Sequence, residues 1–219
     1  MIRSVLTYPI RGSPRFDALV VGGALHLLAV WIPVLPFVAV AGYLSQVLAT
    51  TAAADPRDDP DPPDWRPIGP LLVDGFRLLA TCVGYLAVPV VLLVVTLGGP
   101  LEGVDPTGTT DGIFFIVGST VSTLLAFAIC YPLPAALVAV ARERSLRAAV
   151  NASHIGAATQ DAGYLVATLL AAGGGGLAAA AYGPLNAVAI GFFLGFYVEV
   201  VAAAAVGRAT GRAWRRRSV

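Results

Sequence analysis

Polar residues punctuate this chain rather than alternate along it. Between the punctuation marks run apolar stretches at Phe16–Ile32, Val34–Thr51, Leu71–Leu97, Ile113–Ala141, Ala162–Tyr182 and Leu185–Val206. A hydrocarbon core of about 30 Å takes roughly 20 apolar residues to cross as helix. The pattern therefore predicts an all-α integral membrane bundle of six transmembrane helices in one domain, 1–219. The first two stretches are nearly continuous and together too long for one span. Pro33 and Pro36 interrupt them beside Trp31, and a residue before proline is pushed away from helix. A turn there gives two spans; the alternative is one kinked or re-entrant element.

Charge placement tests this threading. With six spans, Arg3, Arg11 and Arg15 precede the first, Arg57 and Arg66 separate the second and third, and Arg77 sits just inside the third. Arg142, Arg144 and Arg147 separate the fourth and fifth, and Arg208, Arg212, Arg215, Arg216 and Arg217 follow the sixth. The intervening loops on the other side, 98–112, 183–184 and 33–36, carry none. The positive-inside rule then predicts that both termini are cytoplasmic. A five-span threading would put two arginine clusters outside.

Composition agrees with this reading. Residues of the hydrophobic set make up 57% and charged residues 12%, against about 25% charged in an ordinary soluble domain. Mean hydropathy is +0.79. A soluble enzyme is almost excluded on these grounds, and the expected location is the cell membrane. All 14 basic residues are Arg and the formal net charge is +1, so no global field points to nucleic acid. Cys82 and Cys130 both lie in apolar runs and read as small hydrophobes rather than a disulfide.

The segment Asp55–Pro67 holds five Asp and five Pro in thirteen residues, which predicts an extended, solvated loop. Its spacing matches no calcium loop. Trp65, beside Arg66, is expected to anchor at the interface. Residues 142–161 are too polar to span. Arg144, Arg147, Asn151 and His154 recur at helical spacing, predicting a cytoplasmic interfacial amphipathic helix with a basic stripe. Arg144 and Arg147 are expected to contact lipid headgroups or a partner. Arg215, Arg216 and Arg217 are expected to hold the C-terminal end to anionic headgroups.

Ionisable groups within spans are functional candidates by default. Glu199 in the sixth stretch and His26 in the first are the two deepest, and their depths allow them to meet. Asp74 and Arg77, three apart, share a helix face and are expected to pair. Asp17 favours a helix N-terminus, and Asn186 is expected to cap the sixth helix. Gly173–Gly176 and Gly191-x-x-x-Gly195 predict close packing of the last two helices, with a broken, substrate-lining helix as the alternative. Catalytic motifs and metal-ligand spacings are absent. No catalytic residue, metal or cofactor is therefore expected.

The opening MIRSVLTYPIRGSPRFDALVVGGAL, then GYLSQVLATTAAA, then DPPDWRPIGPLLVDGFRLL, and later ARERSLRAAVNASHI followed by Gly163-Tyr164-Leu165, are together similar to a haloarchaeal multi-pass family catalogued as domain-of-unknown-function family 4013. The resemblance covers nearly the whole chain and is most specific around Tyr43-Leu44 and from Trp65 to Arg77. It implies an archaeal multi-pass membrane protein and no assigned activity, so no functional residue is carried over. The leading expectation is a non-enzymatic scaffold, regulator or complex subunit. Its partners would be the lipid bilayer and a further membrane protein, with no nucleic acid. The alternative is a small-solute or ion transporter or channel using Glu199 and His26. Neither substrate nor oligomeric state follows from the sequence.

Overall fold

A computed structural model describes residues 2–11, 17–55, 58–94, 109–186 and 189–217. Among them the regular structure is helical throughout. A short α1 (Ile2–Leu6) and a 3-10 turn (Tyr8–Ile10) lead into α2 (Asp17–Leu28). Then come α3 (Val34–Ala53), α4 (Ile68–Leu93), α5 (Thr109–Cys130) and α6 (Leu133–Glu143). A second 3-10 turn (Leu146–Val150), α7 (Ala152–Thr159), α8 (Ala162–Asn186) and α9 (Ile190–Arg217) complete the chain. Five helical stretches are long and apolar enough to cross a membrane: Val34–Ala53, Ile68–Leu92, Ile116–Glu143, Ala162–Ala181 and Ile190–Arg217. The third joins α5 to α6 across a turn at Tyr131 and Pro132, where proline removes a helical N–H.

The first apolar stretch behaves differently from the rest. Its helix, α2, has 12 residues, about 18 Å of rise, which is well short of a hydrocarbon core. Residues 29–33 turn the chain, and Pro33 stands at the N-cap of α3. Pro36 falls in the first turn of α3, where a missing N–H costs nothing.

The long helices pack in a row. α3 lies at the centre against α2, α4, α6 and α9; α5 packs mainly on α4 at one flank, and α8 mainly on α9 at the other. Tyr43, Val47, Phe196, Val200 and Ala204 are fully buried where α3 meets α9. Two crossings are close enough to require glycine. A Cβ on Gly42 or Gly75 would collide with the backbone of α4 or α3, and one on Gly207 or Gly211 with Thr51 or the Ala52 carbonyl. Small residues allow such backbone approach in membranes.

Three elements differ from what the sequence pattern predicts. The run Gly173–Gly176 does not mediate a close crossing: a Cβ on Gly173, Gly175 or Gly176 would meet nothing within 4 Å, and one on Gly174 only Val198 at 3.8 Å. The last two long helices do not part at residues 183–184. Helix α8 continues to Asn186, which ends it rather than capping the next, and the break falls before Ile190, with Ala189 at φ 60°. The polar segment 142–161 is not one amphipathic helix. Arg142 and Glu143 complete α6, Arg144 takes a left-handed conformation at φ 50°, and the rest divides into the second 3-10 turn and α7. The cause is local. Ser145 Oγ accepts from the Arg147 N–H and Asn151 Oδ1 accepts from the His154 N–H, so two capping side chains start new turns where a continuous helix was expected. The basic stripe therefore does not exist as one face.

Candidate functional site

Helix α9 supplies an axial scale. It begins at Ile190, and its first arginine, Arg208, is ion-paired 18 residues or about 27 Å further on. Glu199 lies halfway between them. His26, two residues before the end of α2, comes to the same level. The two meet, His26 Nε2 lying 3.3 Å from Glu199 Oε1. The imidazole is buried between Phe37 and Phe196, with ring centroids 6.1 and 5.8 Å away. Its Nδ1 lies 3.0 Å from the Gly22 carbonyl. Gly22 and Gly23 make the approach possible, because a Cβ at either would strike the Phe196 or Phe193 ring. Glu199 Oε2 is shielded from solvent and has no hydrogen-bond partner among the described residues.

The other ion pairs among the described residues collect toward the C-terminal end of α9, where α3 and α6 end and α4 and α8 begin. Asp74 is buried and receives Arg77 Nη1 at 2.9 Å and Arg144 Nε at 3.5 Å. The pairing thus ties α4 to the end of α6, and Arg144, though exposed, is directed to this acid. The Arg147 side chain is exposed. The C-terminal arginines also turn inward. Arg215 donates to the Ala52 carbonyl at 3.1 Å, Arg216 pairs with Asp161 at 2.8 Å, and Arg217 bonds Gln160. Trp214 Nε1 donates to the His154 carbonyl at 2.7 Å, and His154 Nδ1 contacts Glu143 at 3.0 Å. The expected tail is thus the last turns of α9, docked on α3, α7 and the start of α8.

A third cluster was not anticipated. Asp59, in the Asp- and Pro-rich loop, receives Arg11 and Arg208, each at 2.9 Å, and Arg208 also donates to Ser4 Oγ at 3.1 Å. Arg11 first, and then Arg208, hold the Asp59 carboxyl below its ordinary range by hydrogen bonding. Tyr8 is fully buried beneath this cluster, and burial pushes its hydroxyl pKa up. Trp65 does not anchor outward. It stacks on Tyr43, with centroids 4.4 Å apart and planes at 17°, and touches Phe196. The loop is therefore tied to the bundle at both Asp59 and Trp65. Compositional bias concealed the role of Asp59, which does not differ in type from the loop's other acids, whereas Trp65 stood out but was expected at the interface. Arg57 and residues 98–108 lie outside the described residues.

Asp17 starts α2 and is exposed. Cys82 and Cys130 are free thiols. Among the described residues no group of three His, Cys, Asp or Glu could hold a metal ion.

Residues 25–187 match the family described as Protein of unknown function (DUF4013). The chain belongs to this family. The match begins one residue before His26 and runs through α8. It thus takes in the Asp- and Pro-rich loop, Asp74 and the segment between α6 and α8, whereas Glu199 and the C-terminal arginines lie beyond it. No curated protein and no solved structure matches the chain.

Proposed function

We propose that this DUF4013 protein is a six-pass protein of the cell membrane, with both termini cytoplasmic, that serves a membrane complex as a non-enzymatic scaffold, regulator or subunit. The observation that carries the role is the state of its flanks. Helix α5 rests mainly on α4 and leaves Ile116, Val121, Leu124 and Phe127 exposed, while α8 rests mainly on α9 and leaves Val166, Leu169, Leu170 and Leu177 exposed. Lipid covers such faces at no penalty, and a membrane partner can replace it by packing. The exposed Arg147 remains a contact for headgroups or for that partner. The orientation is supported by the collection of ion-paired arginines at one end, and the short α2 is read as the first pass. A haloarchaeal source belongs to the same proposal, supported by arginine in place of every lysine.

Native mass spectrometry of the protein purified gently from its own membranes tests the role. A stoichiometric second protein is expected; a bare chain carrying a bound solute or ion would refute it. The threading has a separate test, since a Cys at Thr107 is expected to label only from outside. A second reading is favoured by the His26–Glu199 contact: transport or conduction of a small solute or ion. It requires that Glu199→Gln abolish flux in vesicles while the protein keeps its fold.

A further inference from the structure

We infer that His26 and Glu199 together form a binding site for a single proton inside the membrane, held between α2 and α9. The inference rests on the membrane-spanning reading above and deepens its transport alternative. Its basis is the hydrogen-bonding inventory of the two side chains. The Gly22 carbonyl can only accept, so His26 Nδ1, 3.0 Å away, carries a hydrogen. Nε2 is then the nitrogen that faces Glu199 Oε1 at 3.3 Å. A bare imidazole nitrogen and an ionised carboxylate are both acceptors, and they repel. The contact therefore needs one proton. On Nε2 it gives imidazolium and carboxylate; on Oε1 it gives neutral imidazole and carboxylic acid. Both arrangements are neutral overall, whereas loss of the proton leaves one negative charge at mid-depth, where lipid and aromatic rings solvate it poorly.

Glu199 is 41% exposed as a side chain, yet Oε2 is shielded and unpartnered, so the apolar stem faces outward and the head faces inward. The surroundings supply little competing charge. Helices α3 and α8 carry no charged residue and contribute Tyr43, Tyr164 and Tyr182 as titratable groups. On α9, Tyr197 is turned away, donating to the Leu6 carbonyl, and Arg208 lies nine residues from Glu199, about 14 Å along the axis. On α2, Asp17 lies nine residues before His26. Arg11 and Asp59 belong to the arginine-rich end, Tyr8 is in the same apolar cluster as Tyr43 and Phe196, and Asp64 is the loop acid next to Trp65, which touches Phe196.

Infrared titration of the protein in phosphatidylcholine nanodiscs tests this, with the proton itself as ligand. The imidazole and carboxyl bands of the wild type are expected to change together in one transition, and His26→Gln or Glu199→Gln is expected to remove both. Glu199→Asp guards against misfolding, because it should keep the coupled transition at a shifted midpoint. Bands that titrate independently, a band that survives loss of its partner, or no change over the pH range in which the fold persists would overturn the assignment. Proton flux is measured separately in vesicles. A coupled transition without flux refutes transport and leaves the proton site standing, whereas flux without a coupled transition refutes the site.

Discussion

Asp59 receives two arginines that the chain brings from far apart, and its carboxyl is the clearest handle on the N-terminal segment. Because those partners lower its pKa in the folded protein, the stabilisation is present above the ordinary carboxylate pKa of about 3.9 and is lost as pH falls below that value through the depressed one. Acidification through that window is expected to lower the amide protection factors, which remove the intrinsic pH dependence of exchange, over residues 2–11. Asp59→Asn should give the low protection at neutral pH and remove the dependence of protection on pH. If exchange there is already fast in the wild type at neutral pH, the clamp does not operate. The glycines provide a second contrast. Gly75→Val forces a side chain into the α3 backbone and should destabilise the protein by about 1–3 kcal/mol. Gly175→Ala enters open space on a helix and should be neutral or stabilising by about 0.5–1 kcal/mol. Detergent-mediated unfolding curves would measure both, and equal losses would contradict the packing described. Glycine content by itself could not have made this distinction. The four-glycine run stands out in the sequence but lies in the open, while Gly42 and Gly75 are isolated among ordinary neighbours and lie at the tightest crossing.

At the scale of elements, Asp74 decides how α4 meets the end of α6. Its pairing with Arg77 was legible, because three residues along a helix return to the same face. Its pairing with Arg144 was not, since it depends on the left-handed turn that swings Arg144 out of α6. Asp74→Ala leaves two arginines without their acid beside a buried position. A loss of about 1–3 kcal/mol is expected, below the figure for a fully buried pair because both arginines retain access to solvent. Chemical denaturation in mild detergent should show it, and an unchanged midpoint would mean that the ion pairs are incidental. Arg144→Gly separates two effects, relieving the strained backbone while removing one partner. Its loss should therefore be smaller than that of Asp74→Ala. The interfacial stripe read from Arg144, Arg147, Asn151 and His154 failed for the same local reason. Periodicity records spacing, whereas a capping serine and a capping asparagine end the helix that would have given that spacing meaning.

For the whole molecule, the row α5–α4–α3–α9–α8 leaves its two flanks apolar and lightly packed, and the proposed complex would be seated there. Bulky polar substitutions on α5, such as Leu124→Gln with Phe127→Gln, are expected to release a co-purifying partner while the monomer keeps its helical content. Retention of the partner would move the contact to another face. The sequence by itself determined that the chain is helical and apolar enough to lie in a membrane. It also determined that the described arginines gather toward one end, because apolar length and charge placement are local properties of each segment. It supplied His26 and Glu199 as the deep ionisable groups for the same reason. The tertiary structure alone decided which groups meet. His26 reaches Glu199 across 173 positions and Asp59 reaches Arg208 across 149, and contacts at such separations depend on how helices cross. Those crossings are set by which glycines lie at the points of closest approach, and no single segment of the sequence contains that information.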